Sequence, residues 1–363
     1  MELEGERVRI MSDFYNGNKI LTLKDINRKV PGVFIVEGTR TAGKTTFFNS
    51  FCVNRFLEHG EQFLLLYRNK LELTNVDEKF FSDIKNLFFK DMEMKEKKIN
   101  GGAAVRLLLD GKECGFATAL SQSKKIKTMS HIFNKVVNII FDEFQPEDNM
   151  YLTDEVTRLR SILTSVARGR GEMSRYVRLF MISNLCSIVN PYFTRFNITN
   201  RLRKDTRFLR FDGGVYERTV NAAAIKAAEE NPVLRAFEGD SYDKMLMGNA
   251  YLLDEYTLTH TPHSMGNYIC TVYYNSKYYG VIEYPYEGVV YINNNGDRSR
   301  KPIMVLRPHD MQNNFNTLRP YTNTVLKFSL AFSQGMLRFK NLECREMAFE
   351  MIQQLSLMRG YYI

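Results

Sequence analysis

The sequence has no long apolar run. Its most hydrophobic stretches, such as residues 136–141, fall far short of the ~20 residues that a bilayer-spanning helix needs. The N-terminal residues MELEGERVRI carry acids where a secretory signal would carry a basic and then an apolar stretch, so no such signal is visible. Cysteine is scarce and scattered. Cys52, Cys114, Cys186, Cys270 and Cys344 are odd in number and lack metal-ligand spacing, so they read as buried thiols of a reducing compartment. Internal repeats and low-complexity tracts are also missing. These absences argue against a membrane protein, a secreted disulfide scaffold and a zinc module, and the expectation is a soluble intracellular protein.

What is present is an ordinary globular composition. The chain has 363 residues, 44% hydrophobic and 25% charged, which suits a folded chain of about two domains. Lys and Arg number 50 against 41 Asp and Glu, a net charge of +9 that is compatible with a polyanionic partner. The first half alternates β-type runs with helical patterns, the sign of an α/β domain with a mainly parallel sheet. Strands are expected at residues 33–37, 63–67, 136–141 and 177–183, helices at 44–58, 80–89 and 154–166, and a hairpin at 105–120. The segment 95–98 reads as a solvated turn and 121–135 as a polar loop. After about residue 200 the pattern changes. The expected division is 1–200, a helical connector at 201–262, and a small α+β domain at 263–363 built on a Tyr-rich meander and closed by a helix at 342–358.

Residues Gly38-Thr39-Arg40-Thr41-Ala42-Gly43-Lys44-Thr45 match G-x-x-x-x-G-K-[ST] between a predicted strand and a predicted helix, with Thr46 following. Glycines let consecutive N–H groups face a phosphate, and the helix N-terminus adds partial positive charge. Lys44 would then reach the β- and γ-phosphates of ATP, and Thr45 would hold Mg²⁺ through its hydroxyl. The strand at 136–141 ends in Asp142-Glu143. In that context Asp142 serves the Mg²⁺ and Glu143 polarises the attacking water. The adjacent acids point to the branch of P-loop NTPases with an additional strand between the two motifs, for which the hairpin at 105–120 leaves room. The expected order nonetheless sets the phosphate loop and the acids on neighbouring strands at the carboxyl edge of the sheet, where α/β proteins bind ligands. Asn184 closes the next strand and is either a γ-phosphate sensor or a strand-end cap.

The basic excess is local. Between residues 157 and 210 there are twelve basic residues, eleven of them Arg, and only Glu172 and Asp205 oppose them. Arg168-Gly169-Arg170-Gly171 is a helix end opening into a loop with two guanidinium groups. It fits either an arginine finger that enters a neighbour's nucleotide site or a solvated or DNA-contacting loop. Lys124, Lys125 and Lys127 form a second cluster with the same pair of readings.

These residues, together with Tyr15-Asn16 and Asn190-Pro191-Tyr192-Phe193, give the chain a specific likeness. It resembles the genome-packaging ATPases of the small, short-tailed phi-29-like phages. The resemblance implies an additional-strand (ASCE) P-loop ATPase domain, a connector, and a C-terminal domain like a degenerate RNase-H-like nuclease. It also implies a homomeric ring, a pentamer, docked on the portal of an empty capsid with a structural packaging RNA and driving double-stranded DNA inward by ATP hydrolysis. Such a motor works in the infected host's cytoplasm, visits the procapsid only transiently, is absent from the mature virion and has no membrane partner. By position, Tyr15 and Asn16 would lie near the adenine. Arg168 or Arg170, with Arg170 preferred, falls where the trans-acting arginine lies, and Lys124, Lys125 or Lys127 near a second trans-acting position.

A two-metal nuclease needs three or four converging carboxylates. The first meander strand, at 268–275, has none, and Glu343, Glu346 and Glu350 read as a solvated helix face. The C-terminal domain is therefore expected to bind rather than to cut. Two other readings compete with the packaging motor: a different P-loop DNA motor such as a helicase or recombination ATPase, and a non-hydrolysing, nucleotide-regulated assembly protein.

Overall fold

The computed structural model describes residues 15–40, 42–147, 150–168, 174–188, 190–203, 205–222, 225–226, 230–235, 259–317 and 322–359. By contacts the chain divides into two units, Met1–Ser187 with Lys204–Leu253, and Ile188–Arg203 with Asp254–Ile363.

The first unit is built on a nine-stranded sheet. In chain order its elements are α1 (Asn18–Thr22), β1 (Val33–Gly38), α2 (Lys44–His59), β2 (Gln62–Tyr67), α3 (Val76–Phe88), β3 (Met94–Ile99), β4 (Ala104–Leu109), β5 (Lys112–Ala119), α4 (Ser123–Ile126), β6 (Val136–Asp142), α5 (Glu155–Val166), β7 (Arg178–Asn184), β8 (Phe208–Phe211) and β9 (Gly214–Thr219). The strand order is β3-β4-β5-β2-β6-β7-β1-β9-β8. The six strands from β5 to β9 run parallel, and the antiparallel strands lie at the two edges. Central strands such as Phe63-Leu64-Leu65-Leu66 and Ile139-Ile140-Phe141 are buried along their length, as expected where helices cover both faces of a parallel sheet. Helix α2 lays Phe48, Cys52 and Val53 on this core, and burying a side chain the size of Phe48 contributes about 1.5–3 kcal/mol. It ends where Gly60 takes φ 67°, a left-handed turn that glycine adopts without steric cost.

Five features depart from the sequence reading. β7 lies between β1 and β6, so the phosphate loop and the acids are one strand apart rather than on neighbouring strands. The additional strand is β7, and the hairpin β4–β5 lies on the far side of β2. The Lys-rich segment 95–98 is not a turn but part of β3, a charged edge strand paired with β4; its charges mask the strand pattern and blunt an open sheet edge. Residues 121–135 are not a plain loop but short helical turns that bury Ile126, Met129 and Phe133. Residues 208–219, expected within a helical connector, form a hairpin around Asp212-Gly213 that extends the sheet beyond β1. In the Ala-rich segment expected to be helical at 220–230, the described residues 222, 225, 226 and 230 are helical, with the N–H of Ile225 donating to the Asn221 carbonyl oxygen at 3.1 Å, while residues 223–224 and 227–229 lie outside the described residues.

The second unit carries α6 (Pro191–Arg195), β10 (Asn267–Tyr274), β11 (Lys277–Tyr284), β12 (Val289–Asn293), β13 (Ile303–Val305), β14 (Asn316–Thr317), α7 (Thr322–Ser333), β15 (Leu337–Phe339) and α8 (Leu342–Arg359). Its six-stranded sheet has the order β14-β13-β10-β11-β12-β15. The meander β10–β11–β12 is antiparallel, while β13 runs parallel to β10, β14 to β13 and β15 to β12. Helix α8 does not present its glutamates to water. Glu343 and Glu346 are buried, and Glu350 pairs with Arg307 at 2.9 Å. The i, i+3, i+7 spacing is that of an inward face, and buried Tyr274, Tyr279 and Arg307, with the half-buried Lys277, make acids tolerable there.

Candidate active site

In a parallel block every strand delivers its carboxyl end to one edge, and here that edge gathers Gly38, Tyr67, Asp142, Asn184 and Thr219. The loop from β1 to α2 starts at Gly38, which is in register with Asn184 of β7 on one side and Thr219 of β9 on the other. A Cβ at Gly38 would stand 2.3 Å from the Thr219 carbonyl oxygen, so only glycine fits. Gly43 caps α2 at φ 85°, again a glycine conformation. Thr41 lies outside the described residues.

Lys44 is buried and folds back on its own loop, its ammonium 2.7 Å from the Thr39 carbonyl oxygen and 3.3 Å from that of Gly38. Burial lowers its pKa to about 8, against the opposing pull of Asp142 and Glu37. Thr45 donates from its hydroxyl to Asp142 Oδ2 at 2.9 Å, although the two residues are ninety-seven positions apart in sequence. The amide of Asn221 in turn donates to the Thr39 hydroxyl at 3.3 Å. Arg40 and Thr46 complete the loop, and Arg40 draws the Glu143 carboxyl toward its ionised form.

Glu143 follows directly, with φ 52° and its amide donating to Asp142 Oδ1 at 3.0 Å. Desolvation by the surrounding protein, with the charge of Asp142 and Glu147, pushes the Glu143 carboxyl above its ordinary range, and burial does the same for Asp142. Clustered oxygens and negative charge of this kind suit a hard divalent cation. Beside them lies a cleft of about 270 Å³ lined by Thr45, Tyr67, Glu72, Lys79, Asp142 and Glu143 among others. Asn184 donates to Glu147 Oε1 at 3.3 Å.

Tyr15 is buried against Phe47 (ring centroids 5.6 Å apart) and Phe48, its hydroxyl donates to Glu217, and its amide donates to the Ala42 carbonyl oxygen at 2.9 Å. It therefore borders the phosphate loop directly, and Asn16 beside it is exposed. Arg168 is exposed just after α5, bridged to Ser174, while Arg170 lies outside the described residues. Lys124, Lys125 and Lys127 are exposed on the short helical turns after β5.

Sequence reading missed two anchors of this site. Arg68, one residue past β2, binds Glu155 at 3.0 Å and donates to the main-chain oxygens of Glu143 and Phe144. Its place at the carboxyl end of a buried parallel strand was the available signal. Glu37, an acid inside the apolar strand Val33–Gly38, is wholly buried and held by Gln145 and Tyr216. A charge in such a strand signals a polar network.

The sequence also matches a family model, the Podovirus DNA encapsidation protein (Gp16), over residues 10–357. The chain belongs to that family. Relatives bear this out and bracket the family likeness read from the residues. The DNA packaging protein of Bacillus phage PZA is 29% identical over 350 residues, 95% of this chain and 98% of the relative. That of Bacillus phage B103 is 27% identical over 328 residues, covering 89% and 97%. Among solved structures, the bacteriophage phi-29 viral genome packaging motor assembly matches at 29% identity and TM-score 0.64, covering 94% of this chain and 99% of that one. The Phi-28 gp11 DNA packaging motor shares the fold at 15% identity and TM-score 0.62, covering 94% and 98%.

Proposed function

We propose that this protein hydrolyses ATP to drive double-stranded viral DNA into a preformed procapsid. The observation that carries the reading is the convergence of Thr45, Asp142 and Glu143 behind a phosphate loop, in a chain of the DNA encapsidation family. The backbone of residues 38–46 would wrap the phosphates, with Tyr15 and Asn16 toward the adenine and Asn184 toward the γ-phosphate. Lys44 leaves the Thr39 and Gly38 carbonyls for the phosphate oxygens, which restore the charge that burial disfavours. Glu143 accepts the proton of the attacking water, a task suited to a carboxyl of raised pKa. The oxygen donors of Thr45 and Asp142 fit Mg²⁺, which when bound neutralises phosphate charge.

The exposed Arg168, or Arg170 beyond it, is assigned as the finger for a neighbour's site in a homomeric ring. Lys124, Lys125 and Lys127 are assigned to a second contact across that boundary or to DNA. The ring is a pentamer on the portal, with a structural packaging RNA, in the host cytoplasm. A connector is kept between the P-loop ATPase domain and the C-terminal domain. The latter is read as RNase-H-like, supported by its antiparallel meander with parallel strands added beside β10. It is also read as lacking nuclease activity. Its helical glutamates are committed to Lys277, Tyr279, Tyr274 and Arg307, and Asp297 to Ser299. In a packaging assay with purified procapsids, portal-bound protein and linear duplex DNA, the proposal expects ATP-dependent protection of the DNA from nuclease. Protection that is independent of ATP, or that never develops, would contradict it.

A further inference from the structure

Three segments of the site, the strand β1 and the loops after β6 and β7, meet at one buried side chain. Gln145 is two residues past Glu143 and almost wholly buried. Its amide nitrogen donates to Glu37 Oε1, on the strand that leads into the phosphate loop. Its amide oxygen accepts the N–H of Ser187 at 2.8 Å, three residues past Asn184. The Gln145 main-chain oxygen faces the Cys186 thiol at 3.7 Å, and the N–H of Phe144 donates to the Ile182 carbonyl oxygen at 3.2 Å. Glu37 accepts on its other oxygen from the Tyr216 hydroxyl, at 2.8 Å. The Gln145 side chain thus uses both ends of its amide, one on the phosphate-loop strand and one on the segment leaving β7.

Glu143 sits in a left-handed turn, so the direction of its carboxylate depends on what holds the residues around it. Arg68 holds the main chain of the turn from one side, and Gln145 is its continuation on the other. Cutting either Gln145 bond deprives a buried group of a partner, the Glu37 carboxylate or the Ser187 amide.

We propose that Gln145 is a positioning residue for ATP hydrolysis: through Glu37 and Ser187 it fixes the turn that carries Glu143 against the phosphate-loop strand and the segment that follows Asn184. The inference rests on the ATPase reading above. It makes a distinctive demand on pairs of substitutions. Gln145→Glu sets two carboxylates face to face. Glu37→Gln combined with Gln145→Glu restores the bond between the two positions in reverse. In that double variant the side-chain amide at position 37 donates to the carboxylate at position 145. The new carboxylate still accepts from Ser187, and the oxygen of the new amide still accepts from Tyr216.

The test uses the full chain and measures kcat, KM, the affinity for a non-hydrolysable ATP analogue and the melting temperature. Gln145→Glu is expected to lower kcat on the order of tenfold or more, the scale of a misplaced reacting group, while analogue affinity stays within about twofold. The double variant is expected to recover most of kcat. If Gln145→Glu does not fold, the near-isosteric Gln145→Met keeps the volume and removes both bonds, and the same loss of kcat is expected. Wild-type kcat in a variant that merely melts earlier would overturn the inference, as would a double variant no better than its parents. A wild-type chain that binds the analogue but never turns ATP over would overturn the ATPase reading and this inference together. Normal wild-type turnover with indifferent variants would overturn this inference alone.

Discussion

Arg68 grips the turn of Glu143 by its main chain, with both terminal guanidinium nitrogens 3.2 Å from the Glu143 carbonyl oxygen. The same guanidinium is locked by the buried Glu155 and lies over the rings of Phe141 and Tyr151. A planar fork can serve a carboxylate and two carbonyls at once, whereas an ammonium cannot. Arg68→Lys should therefore keep the charge near Glu155 but release the turn. The expected result is a fall in kcat of about 10- to 100-fold with nucleotide affinity retained. Arg68→Ala should also destabilise the fold by ~3–5 kcal/mol, because it leaves Glu155 buried without its charged partner. Steady-state kinetics and denaturant titration check both.

Tyr15 has two separable parts. Its ring packs on Phe47 and Phe48, and its hydroxyl satisfies Glu217. Tyr15→Phe should cost about 1–3 kcal/mol of stability, the desolvation cost of an unpaired buried acceptor, and leave ATP affinity nearly unchanged. Tyr15→Ala should weaken ATP binding as well. Equal affinities for the two variants would remove Tyr15 from the nucleotide site.

Glu346 makes the C-terminal unit sensitive to pH. Burial, reinforced by Glu350 and Glu343 and opposed by the Tyr274 hydrogen bond and Arg307, raises its carboxyl from 4.5 to about 8. The unfolded chain gives up this proton near 4.5 and the folded chain keeps it to about 8. The contribution of Glu346 to stability is thus fully present below 4.5 and is lost as pH rises through about 8. The melting temperature should fall across that window, and Glu346→Gln, neutral throughout, should flatten the dependence. Identical pH profiles for the two proteins would contradict this.

These contrasts mark what could be read from the sequence. The phosphate loop, Asp142-Glu143 and the buried parallel strands were legible because local patterns fix them: glycine conformations, a strand–loop–helix context and runs such as Phe63–Leu66. The position of β7 between β1 and β6 was not, because strand order is a long-range choice that no window of sequence encodes. β3 hid behind Lys95, Lys97 and Lys98, whose charges suit an edge strand as well as a turn. The inward face of α8 looked solvated because acids are counted as surface residues until their partners are known. Tyr274, Tyr279 and Arg307 lie 43 to 72 residues from the glutamates they hold.

The proposed arginine finger calls for mixing rather than single variants. Arg168→Ala or Arg170→Ala subunits should bind ATP normally and hydrolyse it poorly, since the missing charge belongs to a neighbour's site. A loss on the scale of roughly 10³-fold or more is typical of such fingers. Mixed with Glu143→Gln subunits, they should regain turnover at those boundaries where an intact arginine faces an intact glutamate. Loss of ATP binding in the arginine variant alone would place the residue in its own site.

The most direct test of the motor reading is ATP turnover by the full chain with and without duplex DNA, beside Glu143→Gln. The account predicts hydrolysis stimulated by intact duplex in the unmodified protein. In the variant it predicts retained ATP binding with turnover reduced by at least ~100-fold. Undiminished turnover in Glu143→Gln, or an unmodified protein that binds ATP and DNA without hydrolysis, would contradict it.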